Sequence, residues 1–345
     1  MAAINELFFY VSGEHKTFPY AEVKAILEAE GYTYEKVAVF PRILLLESDA
    51  KCLSSVADRS AFTKNCGLVA LRCEARIDAI LDAAKNMDYS HLIEAGQTFS
   101  VKIERTMINA REVKEIERII GRIILRQNQD VKVKLANPDV CFFGFFSTDL
   151  FLLGKILYEP TRVFLKRKLS SQPFSHPSSM VPKLARGMVN LARVRAGSIV
   201  LDPFCGTGSV LIEAGLIGCR ILGSEISPEM VRGAKLNLSH FNIPRKGLVV
   251  SDARHCPFIH VDGIITDPPY GRSSSTYGLQ AKKIFSDFLT EALNILPHKR
   301  YLSIASPDNW RVREISEELG YISIEHHLVR EHKSLTRDIS VIQKP

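Results

Sequence analysis

From residue 197 to about residue 305, short segments rich in β-branched residues alternate with segments of helical periodicity. This alternation is typical of βαβ units, in which helices cover a sheet of parallel strands. The sequence therefore predicts an α/β domain in the C-terminal half of the chain. Its predicted strands are Ile199–Leu201, Ile221–Gly223, Leu248–Val250, Gly263–Thr266 and Tyr301–Ala305, and its predicted helices begin at Ser209 and Pro228 and span about 283–296.

The N-terminal half shows a different pattern, which predicts two smaller α+β units. Residues 1–55 read as strand, helix and strand, and Gly31 stands where a glycine commonly ends a helix. Farther along, alternating apolar and polar residues predict half-buried strands at 99–103 and 131–135. The helix predicted between these two strands carries one apolar stripe, formed by Ile116, Ile119, Ile120, Ile123 and Ile124.

Basic residues outnumber acidic ones by 45 to 38, and the net charge of +7 favours a polyanionic partner. Between Lys155 and Leu201, nine basic residues stand against the single acid Glu159. We interpret 156–172 as a basic linker, which serves either solubility alone or contact with nucleic-acid phosphates. On the second interpretation the residues that contact RNA are Lys155, Arg162, Lys166, Arg167 and Lys168. The same two alternatives apply to the helix face shared by Arg118, Arg122 and Arg126, where a solvated face is the more common outcome.

Composition excludes several classes of protein. Hydrophobic residues at 46% and charged residues at 24% are typical of globular chains, and 345 residues predict two or three domains. No stretch approaches 18 consecutive apolar residues, and the N-terminus does not resemble a signal peptide, so we expect a cytoplasmic protein that does not span a membrane. The seven cysteines form no Cys-x-x-Cys pair, which predicts reduced thiols and no metal site.

In an open α/β sheet, ligands bind at the carboxyl ends of the strands. The first predicted strand is followed by Asp202-Pro203-Phe204-Cys205-Gly206-Thr207-Gly208. Its two glycines let the backbone approach a ligand closely, but the loop lacks both the ending of a Walker A loop and the third glycine of the nicotinamide fingerprint. We interpret Cys205 as a small buried side chain within this loop.

Acidic residues also end the next two predicted strands. Glu225 follows Asp202 by 23 positions, the separation at which a carboxylate after the second strand reaches ribose hydroxyls. Either a dehydrogenase or a methyltransferase could use such a carboxylate. Asp252 and Ala253 follow the third strand.

The fourth predicted strand ends in Asp267-Pro268-Pro269-Tyr270, which offers acceptors for an amine. Each proline fixes φ and removes an N–H donor, so backbone carbonyls remain available. The Asp267 carboxylate and the Pro268 carbonyl could accept the two N–H groups of an exocyclic amine on a base, and Tyr270 could stack on that base. In isolation, Pro-Pro-Tyr is equally a plain turn or a ligand for a proline-binding module. Its position at the end of a strand, after three other acidic strand ends, favours chemistry.

These motifs carry a resemblance to a known family. Residues 173–345 resemble a Rossmann-like class I methyltransferase that uses S-adenosylmethionine and methylates exocyclic amines in nucleic acids. The segments Pro173–Pro177, Lys183–Arg186, Asp202–Gly208 and Thr266–Ser273 are similar to those of the archaeal and eukaryotic tRNA guanine-N2 methyltransferases that modify position ten. Residues 56–155 resemble a THUMP RNA-binding domain, and residues 1–55 resemble the ferredoxin-like domain that precedes it in the family.

The resemblance implies roles for individual residues. Glu225 would hold the ribose, Ile226 would pack on the adenine ring, and Asp252 would bond the adenine amine. His176 is either a loop histidine satisfied by its neighbours or a neighbour of the cofactor. The full set implied to bind S-adenosylmethionine is Asp202, Pro203, Cys205, Gly206, Gly208, Glu225, Ile226, Asp252, Ala253 and His176.

The target base would be held by Asp267, Pro268 and Tyr270, and the loop 271–278, which contains Arg272, would close over it. A guanine inside a paired stem would have to be flipped out of the stack. The THUMP domain would bind the acceptor end of tRNA and so select the target position. Family members also recruit a small zinc-binding activator subunit, and the sequence is compatible with this or with a monomer.

Several alternatives stay open at the level of the sequence. Serines occupy positions 178 and 179, where glycine is frequent in the family. The target could instead be position six of tRNA or a ribosomal RNA, and one or two methyl groups could be added. A DNA amine methyltransferase is disfavoured by the THUMP-like segment. A non-catalytic RNA-binding protein is disfavoured by the intact Asp-Pro-Pro-Tyr motif.

Overall fold

The fold is taken from a computed structural model, which describes residues 4–104, 110–128, 130–160, 164, 167–270, 275–332 and 335–345. In chain order the helices and strands are β1 (Ile4–Val11), α1 (Phe18–Glu30), β2 (Tyr34–Phe40), β3 (Ile43–Asp49), α2 (Cys52–Arg59), β4 (Thr63–Glu74), α3 (Ile77–Asn86), β5 (Thr98–Glu104), α4 (Ala110–Gln127), β6 (Lys132–Val133), β7 (Val140–Phe146), β8 (Leu150–Tyr158), α5 (Pro182–Leu191), β9 (Ile199–Asp202), α6 (Ser209–Leu216), β10 (Arg220–Glu225), α7 (Pro228–His240), β11 (Leu248–Val250), β12 (Gly263–Thr266), α8 (Ser275–Ile295), β13 (Tyr301–Pro307), α9 (Val312–Glu318), β14 (Ile322–His332) and β15 (Leu335–Gln343).

The chain forms two compact units. The first unit comprises 1–13, 32–58 and 63–160, and the second comprises 14–31, 59–62 and 161–345. This division differs from the predicted boundaries at residues 55, 155 and 172, because α1 and the short segment after α2 belong to the second unit.

One sheet of eight strands organises the first unit, in the order β2-β3-β1-β4-β8-β7-β5-β6. It runs without interruption across the predicted boundary at residue 55. The apolar stripe of α4 is buried at Ile116, Ile120 and Ile124, as its periodicity predicts, and the arginines at 118, 122 and 126 are exposed.

The strand predicted at 131–135 is wrong in its extent. Among the described residues of this segment, Lys132 and Val133 pair with β5 at the edge of the sheet, and the Lys134 N–H donates to the Phe99 carbonyl at 2.8 Å. Val131 is buried, but Val133 and Leu135 are 50% and 76% exposed. The regular strand is therefore shorter than the alternation in the sequence predicts.

The second unit is built on a sheet of seven strands, in the order β11-β10-β9-β12-β13-β15-β14. The five strands from β9 to β13 are parallel to their neighbours in that group, as predicted, whereas β15 runs antiparallel to both β13 and β14. The strand order reverses beside β9, since β10 and β11 lie to one side of it and β12 lies to the other. A crevice at the carboxyl ends of the strands is expected at such a reversal.

Helix α1 is fixed to the second unit by a buried carboxylate. Glu22 is fully buried and accepts hydrogen bonds from the Asn190 side chain of α5 at 2.8 Å and from the Ser60 hydroxyl at 2.6 Å. It also accepts the backbone N–H groups of Ala61 and Phe62. A buried carboxylate with four donors is strongly stabilising, because removing any donor leaves a desolvated charge without its partner. Among the described residues, no helix combines the length and the apolar character of a membrane span.

Candidate active site

A cavity of about 1120 Å³ lies in the second unit at the carboxyl ends of β9, β10, β11 and β12. It is the crevice that the reversal of strand order creates. The structure brings to this cavity Asp202, Pro203, Cys205, Gly206, Glu225, Ile226, Asp252, Ala253 and His176 of the predicted cofactor set, and Asp267, Pro268 and Tyr270 of the predicted target set. Gly208 stands behind the lining, at the N-cap of α6.

The loop between β9 and α6 needs its two glycines. Gly206 and Gly208 have φ angles of 48° and 86°, in the left-handed region that side chains other than glycine rarely adopt. A Cβ atom at Gly208 would also lie 3.3 Å from Cβ of Ala234 in α7. Cys205, which directly precedes Gly206, is buried, and burial raises the pKa of its thiol.

Glu225 is held in place by the backbone. Its Oε2 atom accepts the Gly206 N–H at 3.1 Å, and its Oε1 atom accepts the Ser227 N–H at 3.0 Å. The carboxylate at the end of β10 is therefore tied to the glycine loop after β9. The next side chain, Ile226, is 69% exposed and borders the cavity, which suits an apolar contact with a flat ring.

Asp252 has a partner that the sequence interpretation did not include. Both of its carboxylate oxygens accept hydrogen bonds from the Arg254 guanidinium, the shortest at 2.6 Å, and the Arg254 N–H adds a fourth bond at 2.9 Å. The hydrogen bonds from the Arg254 side chain lower the pKa of Asp252 to about 2. An amine bound by Asp252 would share the carboxylate with Arg254.

Asp202 is the most deeply buried carboxyl group of the cavity. It is 2% exposed, and its Oδ1 atom accepts the Thr266 hydroxyl at 2.8 Å and the Phe204 N–H at 3.1 Å. Burial raises the pKa of Asp202 to about 7, and the nearby carboxylates of Asp267 and Glu225 act in the same direction.

Asp267 and Tyr270 form a hydrogen-bonded group with Arg337 of β15. The Tyr270 hydroxyl donates to Oδ1 of Asp267, and the Arg337 Nη2 atom donates to Oδ2 at 3.0 Å. The Arg337 Nε atom also donates to the Tyr270 hydroxyl at 3.0 Å. Sequence reasoning missed Arg337, because it lies 70 positions after Asp267 on an antiparallel strand and belongs to no motif.

Tyr270 is half buried, and its ring meets Trp310 edge to face at a centroid distance of 5.8 Å. Burial and the Asp267 carboxylate raise the pKa of the Tyr270 hydroxyl, which therefore acts as a hydrogen-bond donor. The structure thus gives Tyr270 a polar role that the predicted stacking did not include. Trp310 is buried in the core.

The loop that holds His176 is fixed by serines at the positions where the family often has glycine. His176 is exposed, and its Nδ1 atom lies 2.7 Å from the Ser178 hydroxyl. The Ser179 hydroxyl lies 2.9 Å from that of Thr207 in the glycine loop. His176 therefore fits both alternatives, since it is satisfied by a neighbour and also borders the cavity.

The basic residues predicted to contact RNA are placed differently from one another. The Arg167 guanidinium donates to both carboxylate oxygens of Glu213, at 2.9 and 3.0 Å, and its side chain is only 12% exposed. This contradicts the expectation of a phosphate contact, because the charge is already paired inside the second unit. Lys168 is exposed and Lys155 is half buried on β8. Arg162, Lys166 and Arg272 lie outside the described residues.

Comparison with known proteins identifies both halves of the chain. Residues 74–154 match the THUMP domain family, and residues 170–332 match the family described as RMKL-like, methyltransferase domain. The tRNA (guanine(10)-N2)-dimethyltransferase of Methanothermobacter thermautotrophicus is 34% identical over 341 residues, which cover 98% of this chain and 99% of the relative.

Solved structures show the same fold at lower identity. TrmN from Thermus thermophilus superposes with a TM-score of 0.55 at 21% identity, covering 99% of this chain and 100% of TrmN. SMU.472, a putative methyltransferase complexed with SAH, superposes with a TM-score of 0.57 at 13% identity over 100% of this chain and 99% of its own. Because the 34% identity extends over nearly the full length and both domains match, the chain belongs to the family of THUMP-containing tRNA guanine-N2 methyltransferases, with a Rossmann-like class I catalytic domain.

Proposed function

We propose that the protein transfers methyl groups from S-adenosylmethionine to the N2 amine of the guanosine at position 10 of tRNA. One observation carries this proposal: a carboxylate fixed on both oxygens, Asp267, borders the same cavity as the glycine loop and Glu225. The name of the relative that is 34% identical over nearly the whole chain supports position 10 and two successive transfers.

The residues of the cavity fit the cofactor. Glu225 presents a carboxylate that the backbone has already oriented, which suits a ribose with two hydroxyls. Ile226 offers an exposed apolar side chain for a purine, and Asp252 offers an acceptor for an amine. Glycine at 206 presents backbone without a side chain at its point of the cavity lining. When bound, S-adenosylmethionine supplies a methyl group on a positively charged sulfur.

The target amine would be held by Asp267 and the Pro268 carbonyl. The lone pair of this amine is delocalised into the base, so catalysis depends on orientation more than on a strong base. A carboxylate oxygen carries two lone pairs, so accepting from Tyr270 or Arg337 does not exhaust the capacity of Asp267 to accept. Asp267 can therefore accept an N–H of the amine and take the proton that the nitrogen loses after transfer.

Base flipping follows from the paired state of the target. A guanine in a tRNA stem is stacked and paired, and extruding it costs a few kcal/mol. Contacts with phosphates would offset this cost, and Lys168 is exposed for such a role. Phosphate contact by Arg162, Lys166 and Arg272 stays a prediction. The cytoplasmic location, the monomeric state and the activator subunit also stay predictions. The RNA-binding domain at 56–155 is likewise proposed, with support from the THUMP match to 74–154.

The test is methylation of an unmodified tRNA transcript by the full-length protein, followed by nuclease digestion and mass spectrometry. We expect two methyl groups on the guanine at position 10. A transcript with adenine at that position, with its partner base changed to restore pairing, should gain none.

Three variants and alternative outcomes complete this test. Asp267→Asn should abolish turnover and retain tRNA affinity, Glu225→Gln should weaken cofactor binding, and the matched surface variant Glu318→Gln should behave as wild type. Methylation at position 6 or of ribosomal RNA would refute the target. Cofactor binding without any transfer would favour a binding protein, and transfer only after addition of a partner would identify the activator.

A further inference from the structure

Asp267, Tyr270 and Arg337 form a closed ring of three hydrogen bonds. Arg337 donates through Nη2 to Oδ2 of Asp267 and through Nε to the Tyr270 hydroxyl, each at 3.0 Å, and this hydroxyl donates to Oδ1 of Asp267. Because the guanidinium is planar and rigid, two bonds from it fix both acceptors relative to each other. The orientation of the carboxylate is therefore set by a residue outside the Asp-Pro-Pro-Tyr motif.

Arg337 comes from a strand that is not adjacent to β12. It lies on β15, opposite Pro307 of β13, whereas Asp267 follows β12. Its side chain is 6% exposed, and that of Asp267 is 16% exposed. Holding a guanidinium in so buried a position is costly unless its donors are satisfied. The pair therefore represents a specific arrangement rather than a surface ion pair.

The charges around the cavity supply a second, independent argument. Five carboxyl groups border the cavity, and those of Asp202 and Glu225 share it with Asp267. Arg337 brings a positive charge to the one that lies beside the proposed target amine. Without it, the Asp267 carboxylate would lose a compensating charge while remaining near the buried Asp202.

We infer that Arg337 is a positioning residue for methyl transfer, which orients the Asp267 carboxylate and keeps it ionised through direct contact with it and with Tyr270. This inference rests on the proposed function. As a consequence, the carboxylate that accepts from the amine belongs to Asp267, and two donors, Tyr270 and Arg337, hold it in place.

The experiment compares Arg337→Gln, Arg337→Lys and Tyr270→Phe with wild type in single-turnover methylation at saturating cofactor and tRNA. We expect Arg337→Gln to lower the rate by about 100-fold, because a displacement of about 1 Å in a catalytic group can cost that much. Lysine keeps the charge without the fork and should recover part of the rate. Tyr270→Phe removes one of the two donors to Asp267 and should lower the rate by a smaller factor. Arg313→Gln, which removes an exposed arginine of α9, is the matched control.

A pH profile separates positioning from a merely structural role. The ionisable groups that interact with Asp267 include Asp202 at the end of β9, Tyr270 on its own segment and Arg337 of β15. Because a carboxylate that has lost a cationic partner protonates more easily, the acidic limb of the rate profile should move to higher pH in Arg337→Gln, by about 1 to 3 pH units. The limb should move less in Arg337→Lys.

The outcomes distinguish this inference from the proposed function. If wild type does not methylate tRNA, the proposed function fails. If wild type is active and Arg337→Gln keeps its rate within threefold, Arg337 does not position the acceptor. If the rate of Arg337→Gln falls but the acidic limb of its pH profile stays in place, Arg337 is only structural and the inference is overturned. The same conclusion follows if the cofactor affinity and the unfolding temperature fall together with the rate.

Discussion

Replacing Asp202 with Asn should change how the stability of the second unit depends on pH. The carboxyl group of Asp202 is buried, and burial raises its pKa from 3.8 to about 7. The folded state therefore favours the protonated form. Protonated Asp202 contributes its full stability below the pKa of the unfolded chain, and this contribution is lost as the pH rises through about 7. Asn has nearly the same shape and no charge, so the variant lacks this dependence.

The magnitude follows from the pKa difference. The interval from 3.8 to about 7 corresponds to about 4 kcal/mol at 1.36 kcal/mol per pH unit. Between pH 5 and pH 8, the free energy of unfolding of wild type should fall by about 2 to 3 kcal/mol relative to Asp202→Asn. Asp202→Asn should therefore be the more stable protein, relative to wild type, at pH 8 than at pH 5.

Urea unfolding at pH 5, 6, 7 and 8 measures this difference. The chain has a single tryptophan, Trp310, which is buried in the second unit, so its fluorescence reports on the unit that contains Asp202. Glu318→Gln removes an exposed carboxylate from the same unit and serves as the control. A difference between wild type and Asp202→Asn that stays constant within about 0.5 kcal/mol from pH 5 to pH 8 would refute the assignment of a raised pKa.

Two further predictions concern the basic segment and the glycine loop. Glu213→Gln should lower the free energy of unfolding by about 3 to 5 kcal/mol, because it leaves the buried guanidinium groups of Arg167 and Arg186 without their shared carboxylate. Lys168→Gln should instead lower tRNA affinity and leave the free energy of unfolding unchanged. Urea unfolding and tRNA binding measure both variants, and equal losses of tRNA affinity at unchanged stability would contradict the reasoning. Gly208→Ala should lower the free energy of unfolding by about 1 to 2 kcal/mol, because alanine is strained at a φ of 86°. Gly121→Ala should raise it, because a Cβ atom at this position of α4 meets nothing within 4 Å. Thermal unfolding followed by circular dichroism would contradict this reasoning if the midpoint temperatures of both variants shifted in the same direction.

Features that depend on residues close together in the chain could be predicted from the sequence. Each acidic residue at the end of a parallel strand follows a short apolar run, so Asp202, Glu225, Asp252 and Asp267 could be placed from the pattern alone, and all four border one cavity. The helix that ends at Gly31 was predicted for the same reason, and Gly31 has a φ of 79°. These features follow from local backbone preferences.

Contacts between distant segments could not be predicted in this way. Arg337 carries no signature that identifies it as the partner of Asp267, since a single arginine is usually a solvated charge. Arg167 appeared in a basic run whose commonest alternatives are solubility and phosphate binding, and only the fold reveals its partner, Glu213. Likewise, nothing within 14–31 shows that this helix packs with α5.

The discontinuity of the second unit has a consequence for synthesis on the ribosome. Helix α1 buries Phe18 and Ile26 completely, yet α5, which contains its partner Asn190, begins at Pro182. At about 5 to 20 residues per second, the helix waits roughly 8 to 30 s for its partner to be translated. During that interval the apolar face of α1 and the Glu22 carboxylate lack their contacts with α5, while the strands of the first unit are being translated. The nascent chain is therefore most exposed to misfolding and to chaperone binding in this interval, and a stop codon placed shortly before residue 182 should yield a chain that aggregates although it contains all of the first unit.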